Sequence, residues 1–143
     1  MEKVESIKKG FFNVVLYVAI VVGIMWGVPQ LLSWNLGTPY PIAAITSGSM
    51  WPALKKGDVV LIKYIPKEEM RVGDIVVWRN EKGFTIHRVV TLDEQTLTTK
   101  GDANFSEDAP VHYGDVVWRT VMFQGTPFRI PYVGFVSLLR QGI

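Results

Sequence analysis

The stretch Gly57-Asp58-Val59-Val60-Leu61-Ile62-Lys63-Tyr64-Ile65 decides the fold class of this chain. Its β-branched and aromatic residues favour strands, and the Gly-Asp pair in front of them favours a turn. Strand-like stretches also follow Gly73-Asp74 and Gly114-Asp115, and two more lie at residues 84–92 and 97–100. These short strands, divided by turns, predict a mainly β domain.

The segment Arg79-Asn80-Glu81-Lys82-Gly83 has the composition of a hairpin loop and lies between two of these strands. Consecutive strands joined in this way run antiparallel. The sequence shows no internal repeat of 20 to 50 residues, which excludes a solenoid. We therefore predict an antiparallel sheet of coiled or barrel-like form.

A long apolar segment precedes the strands. No charged residue occurs between Gly10 and Leu54, and Phe11 to Leu32 is almost continuously apolar. A helix of about 20 residues rises roughly 30 Å, the thickness of a bilayer's hydrocarbon core. A removable signal peptide has a shorter apolar core and a small-residue cleavage site, whereas Ser33-Trp34-Asn35-Leu36-Gly37 follows here. We predict a retained transmembrane anchor at residues 11–33.

The basic residues predict how the chain is oriented. Lys3, Lys8 and Lys9 precede the anchor, and the next basic residue is Lys55. Under the positive-inside rule, residues 1–10 are cytoplasmic and residues 34–143 form an extracytoplasmic domain, at the cell exterior or in the ER lumen.

Composition excludes several classes of function. The 143 residues suffice for one domain and an appendage, and a scattered net charge of +2 does not favour nucleic acid binding. The absence of Cys excludes disulfides and thiolate metal sites. No pattern in the sequence indicates a metal or an organic cofactor. The apolar segment from Phe128 to Arg140 is too short to span a bilayer and predicts either core packing or contact with the membrane interface.

A candidate nucleophile lies in Ser47-Gly48-Ser49-Met50-Trp51-Pro52. Gly48 allows a sharp turn before Ser49, and Pro52 restricts the backbone after it. A serine hydroxyl needs a base to become a good nucleophile. Ser47 lies two residues earlier, where its hydroxyl and the Ser49 amide can form an oxyanion hole. An ordinary Ser-Gly-Ser turn is the competing interpretation.

His87 is the candidate base. It lies in a stretch where Thr85, His87 and Val89 share one face of a strand. Histidine titrates near neutral pH and acts as a general base where it is well positioned. The other histidine, His112, follows Pro110 in a predicted exposed loop with no hydroxyl partner nearby in the sequence.

A carboxylate is needed to hold the imidazole tautomer and to stabilise its charged form. Asp102 and Asp108 are the candidates, both in the loop after the strand that ends at Lys100. The spacing does not choose between them.

Taken together, these segments resemble the type I signal peptidases, in particular their endoplasmic-reticulum and archaeal branch. The resemblance rests on blocks in the family's order, with the apolar segment in front, and covers most of the chain from about Pro41 to Leu139. The blocks are Ser47 to Pro52, the Gly57 and Gly73 strands, Ile86-His87-Arg88-Val89-Val90, Lys100-Gly101-Asp102 and Ile130-Pro131-Tyr132-Val133-Gly134. One departure is Ala103, where the family usually has Asn.

The resemblance implies a role for each candidate residue. Ser49 would be the nucleophile, His87 the general base and Asp108 the residue that orients the histidine. Asp102 would be a supporting carboxylate near the site, and Ser47 the side-chain donor to the oxyanion.

The resemblance also implies a membrane-bound serine endopeptidase that removes signal peptides after small residues through an acyl-enzyme. Its expected partners are secretory and membrane precursors, the lipid bilayer and translocation machinery. The substrate would add as a strand beside Tyr40 to Thr46. Two alternatives remain: a Ser/Lys self-cleaving protease of the same fold with Lys100 as base, and a non-catalytic membrane-anchored β module that binds signal peptides.

Overall fold

The computed structural model describes residues 2–135. The chain divides into two units, Met1–Asn35 and Leu36–Ile143. The first unit is one long helix and the second is built mainly from β-strands. This organisation confirms the predicted fold class, a mainly β chain with one apolar helix at its N-terminus.

The helix, α1, spans Glu2–Leu36 and extends beyond the predicted anchor at both ends. Between Glu5 and Leu36 its mean hydropathy reaches 2.3. Pro29 lies inside the helix near its C-terminal end. By length and composition α1 can therefore cross a membrane.

The second unit contains ten short strands within the described residues. They are β1 (Ile42–Ala44), β2 (Val59–Lys63), β3 (Ile75–Asn80), β4 (Gly83–Leu92), β5 (Thr96–Lys100), β6 (Val111–His112), β7 (Val116–Thr120), β8 (Met122–Phe123), β9 (Thr126–Pro127) and β10 (Arg129–Ile130). Every pairing between them is antiparallel. The predicted strands all form, and the last of them is divided at Val121 into β7 and β8.

Eight strands belong to one sheet. Its order is β1-β2-β7-β3-β4-β5-β6, and β8 and β9 form a separate hairpin. β10 pairs with the same residues of β2 as β1 does, Val59 and Val60, so it lies on the opposite edge of β2. The predicted hairpin joins β3 to β4 through residues 81 and 82, with Asn80 opposite Gly83. β1 lies at one end of the strand order, so one of its edges has no partner strand among the described residues.

Two apolar clusters of the sheet support the loops that carry the candidate residues. One contains Met50 and Leu54, which are almost fully buried, so the turn that carries Ser49 is anchored from beneath. The other contains Val89 and Leu97, which lie on the facing strands β4 and β5. Burial of these side chains is the main force that fixes the turn and the strand pair.

The Gly-Asp pairs act as turns in two places. Gly57 and Gly73 have φ of 87° and 94°, a backbone conformation that favours glycine. The third pair lies instead in a short 3₁₀ turn, Tyr113–Asp115, without a positive φ at Gly114.

The described part of the C-terminal segment does not form core. Tyr132 is 73% exposed and Val133 is 53% exposed, while Gly134 is buried against the Gly57 turn. The rest of the apolar segment, residues 136–140, lies outside the described residues.

Candidate active site

The turn after β1 presents Ser49. The Trp51 N–H donates to the Gly48 carbonyl and the Leu54 N–H donates to the Met50 carbonyl, which closes the turn around the serine. Because the adjacent Met50 is only 1% exposed, the turn cannot rotate freely. Ser49 itself is half-buried at the wall of a cleft.

His87 projects from the middle of β4 and is 7% exposed. Its Nε2 lies 3.1 Å from Ser49 Oγ, and its Nδ1 lies 2.6 Å from Asp108 Oδ2. A carboxylate can only accept, so the ring proton lies on Nδ1 and Nε2 is free to accept from the serine hydroxyl. This is the tautomer that a general base for Ser49 requires.

Asp108 is held in place by β5. Its backbone N–H donates to the Thr99 carbonyl at 2.8 Å, and the Thr99 hydroxyl donates to Asp108 Oδ2 at 2.6 Å. The carboxylate oxygen that meets the imidazole therefore has a second donor. The sequence-based reasoning did not identify Thr99. Its only signal was its position on the same face of the strand as Leu97.

Asp102 lies in the same loop but contacts a different side chain. Its two carboxylate oxygens accept from Nε and Nη2 of Arg88 at 2.8 and 2.7 Å. Arg88 also donates to the Gly73 carbonyl at 2.9 Å. The hydrogen bonds to Asp102 raise the pKa of the Arg88 guanidinium above its ordinary value, while partial burial acts in the opposite direction. The structure thus brings Asp108 to His87 and pairs Asp102 with Arg88.

Ser47 meets the nucleophile candidate from the other side. Its Oγ lies 3.1 Å from Ser49 Oγ. Because the Ser49 hydroxyl donates to His87, the Ser47 hydroxyl donates to the Ser49 oxygen. A donor is thus already aimed at the oxygen that would attack a substrate.

The remaining candidates lie elsewhere. His112 is exposed in β6. Lys100 follows Thr99 on β5, so its side chain projects to the opposite face of the strand. Within residues 2–135, no group of three or more His, Asp or Glu side chains is arranged to hold a metal ion.

Ser49 and His87 line a cleft of about 790 Å³. Strand β1 forms one wall, and the first half of β4 forms the other. Toward its far end the cleft is lined by aromatic rings: Trp118 lies 6.1 Å from Tyr40 and 5.5 Å from Phe84, measured between ring centroids.

Comparison with known proteins identifies the family to which this chain belongs. A family model described as Peptidase S24-like matches residues 28–118, a segment that contains Ser49, His87 and Asp108. The chain belongs to this family. Its curated relatives include a signal peptidase complex catalytic subunit SEC11 of Metarhizium acridum, 37% identical over 118 residues, which are 76% of this chain and 68% of the relative.

A second relative is the human signal peptidase complex catalytic subunit SEC11C. It is 30% identical over 115 residues, which are 73% of this chain and 59% of the relative. These relatives confirm the resemblance drawn from the sequence, to the endoplasmic-reticulum branch of the type I signal peptidases, and with it the prediction of a serine peptidase.

Proposed function

We propose that this chain is a membrane-bound endopeptidase that removes signal peptides from exported precursors, with Ser49 as nucleophile and His87 as general base. One observation carries the proposal. The His87 ring joins Ser49 Oγ at 3.1 Å to Asp108 Oδ2 at 2.6 Å, at the wall of an open cleft. The relatives' names, which describe catalytic subunits of a signal peptidase complex, support the same substrate class.

The proposed reaction follows from these two contacts of the His87 ring. Nε2 of His87 takes the proton of Ser49 as Oγ attacks the carbonyl carbon of the scissile bond. Negative charge then develops on the substrate oxygen, where the Ser47 hydroxyl and the Ser49 N–H are the proposed donors. His87 gives its proton to the leaving amine, and an acyl group remains on Ser49. Water, deprotonated by His87, releases that acyl group in a second step.

Asp108 keeps the imidazole of His87 in the tautomer that this cycle requires. Its carboxylate fixes the Nδ1 proton and stabilises the imidazolium that forms when Nε2 takes the serine proton. Asp102 contributes at a distance, because its ion pair with Arg88 ties the loop that carries Asp108 to the Gly73 turn.

An extended substrate can be bound by backbone hydrogen bonds along β1. The Pro41 carbonyl accepts from Ile62 of β2, and the backbone of Ile45 bonds to the Gly57-Asp58 turn just before β2. The alternate residues Ile42 and Ala44 therefore direct their N–H and C=O groups away from β2. That edge has no partner strand among the described residues. It is therefore suited to strand addition.

The opposite wall offers a second free edge. β5 pairs with β4 only from Arg88 onward, so residues 83–87 have no partner on that side within the described chain. The backbone of Val89 bonds to Gly73 and Asp74 on the β3 side of β4. Because backbone groups alternate between the two edges of a strand, those of Ile86, three residues earlier, face away from β3. A substrate strand between the two walls would present alternate side chains to the cleft floor. Apolar residues such as Met50, Ile62 and Val77 line the cleft, and we expect the small residues one and three positions before the cut to fit against them.

The location in the cell is part of the proposal. α1 is long and apolar enough to span a bilayer, and the basic residues before it favour a cytoplasmic N-terminus. The catalytic domain would then act outside the cytoplasm, on precursors held in the same membrane. Partner subunits and translocation machinery are expected there as well, since the relatives are subunits of a complex.

The test is cleavage of a secretory precursor by the purified full-length chain in detergent or liposomes, with the new N-terminus sequenced. We expect one cut after a small residue, and we expect Ser49→Ala and His87→Ala each to abolish it. Precursor binding without any cleavage by the wild type would favour the non-catalytic β module. Full turnover by Ser49→Ala would exclude Ser49 as the nucleophile.

A further inference from the structure

Thr99 is a polar residue in an apolar row. It lies on β5 on the same face as Leu97, and its cross-strand partner on β4 is Val89. Leu97 and Val89 are each 1% exposed, and Thr99 is 0% exposed. Valine has nearly the same shape and would need no partner, whereas a buried hydroxyl is costly unless it is hydrogen-bonded. The identity of its partner therefore suggests what this hydroxyl does.

That partner is the carboxylate of Asp108. The Thr99 Oγ1 donates to Oδ2 at 2.6 Å, and the same oxygen accepts from His87 Nδ1 at 2.6 Å. The Thr99 carbonyl also accepts the backbone N–H of Asp108 at 2.8 Å. Thr99 thus holds Asp108 by its main chain and by the one oxygen that meets the imidazole.

Asp108 needs such a restraint. It lies between β5 and β6 in a stretch without helix or strand, and its side chain is 22% exposed. A carboxylate in a partly solvated loop can rotate and bond to water instead of the imidazole. A charge-assisted hydrogen bond from a fully buried strand residue opposes that rotation.

We propose that Thr99 is a positioning residue for catalysis, acting through Asp108 on His87. The inference rests on the proposed function, because it requires the Asp108–His87 contact to operate in the reaction. Thr99 does not touch the reacting atoms. Its hydroxyl sets the orientation of the Asp108 carboxylate and so contributes to turnover and not to substrate binding.

A purely structural role would give a different result. In that case removal of the hydroxyl lowers stability, but the folded enzyme turns over normally. Thr120 provides the matched control, since it is also 0% exposed and its hydroxyl donates to the Ile75 carbonyl at 3.3 Å. Thr120→Val removes a buried hydroxyl bond of the sheet that does not involve Asp108.

The experiment compares Thr99→Val, Thr99→Ser and Thr120→Val in precursor cleavage, with kcat, KM and the unfolding temperature measured for each purified full-length protein. We expect Thr99→Val to lower kcat about 10- to 100-fold, the range for a lost hydrogen bond to a charged group, with KM within about twofold. Thr99→Ser keeps the donor and should stay within about threefold of wild type. Thr120→Val should lose stability but not kcat. Wild-type kcat in folded Thr99→Val would overturn the proposal.

A double variant distinguishes an effect of Thr99 that acts through Asp108 from a nonspecific loss of activity. In an Asp108→Ala background the carboxylate is gone, so Thr99→Val should change the residual kcat by no more than about twofold. A further tenfold loss in that background would overturn the proposal. If Thr99→Val does not accumulate as folded protein, Thr99→Ser and Thr99→Ala make the same comparison, and equal kcat in those two would overturn it. The Ser49→Ala assay is independent of these results, so failure of the proposed function is recognised separately.

Discussion

The backbone N–H of Ala103 donates to the carbonyl oxygen of Ser49 at 2.8 Å. This bond joins the loop that carries Asp102 and Asp108 to the turn that carries the proposed nucleophile. Because the main chain makes the contact, Ala103 preserves it even though the family usually has Asn at this position. The departure from the family pattern therefore leaves this link between loop and turn intact.

Gly101 is required by the same close approach. A Cβ at residue 101 would lie 2.7 Å from the Ser49 carbonyl oxygen and 2.7 Å from Asn104 Nδ2. We expect Gly101→Ala to lower kcat about 100-fold, because a shift of about 1 Å in the serine turn is enough for such a loss. Gly114→Ala is the control, since a Cβ there meets nothing within 4 Å. Similar initial rates for both variants would show that catalysis does not depend on the close approach of this loop to the serine turn.

Replacement of Asp108 should affect mainly catalysis, whereas replacement of Asp102 should affect mainly stability. Asp108→Asn removes the charge that fixes the Nδ1 proton of His87, and we expect kcat to fall about 10³- to 10⁴-fold. Asp102→Asn leaves the Arg88 guanidinium partly buried without its anion, and an arginine side chain stays charged at any assay pH. It should therefore lower the unfolding temperature and reduce kcat by less than about tenfold. Steady-state kinetics and thermal unfolding on both variants check this, and equal losses of kcat would contradict it.

Ser47→Ala removes the proposed side-chain donor to the oxyanion. We expect kcat to fall about 10²- to 10³-fold with little change in KM, because the interaction strengthens only as charge develops. Ser106→Ala is the control, since Ser106 is exposed in the neighbouring loop. An unchanged kcat for Ser47→Ala would remove Ser47 from the mechanism.

Lys100 tests the rival lysine mechanism. Its side chain projects away from the face of β5 that holds Thr99. We expect Lys100→Met to keep precursor cleavage within about threefold of wild type. Complete loss, in a protein that still folds, would favour a Ser/Lys self-cleaving protease.

The helix tests the location of the reaction. Removal of residues 2–35 should reduce cleavage of precursors held in liposomes by tenfold or more, because the anchor raises the local concentration of enzyme at the membrane. Cleavage of a short soluble peptide should change far less. The two substrates are compared with the same two protein preparations, and equal losses would mean that the anchor does not position the enzyme.

Much of the fold could be predicted from the sequence because local patterns encode it. The uncharged run after Gly10 specifies a helix that can span a membrane, and the β-branched stretches specify strands whose predicted positions lie close to the observed ones. The alternation Thr85, His87, Val89 placed His87 on one face of β4, and that face is the one that meets Ser49. Thr99 was not identified, because threonine is common in strands and its partner is nine residues away.

The sequence by itself determined that a serine, a histidine and one of two aspartates belong together, but only the tertiary structure chose the aspartate. Neighbouring residues on a strand point to opposite faces, so His87 and Arg88 project in opposite directions from β4. Each contacts one carboxylate of the loop: Arg88 pairs with Asp102, and His87 with Asp108. A loop has no periodicity from which such a division can be deduced. It is decided by which side of the strand each carboxylate reaches once the backbone of Asp108 is bonded to Thr99.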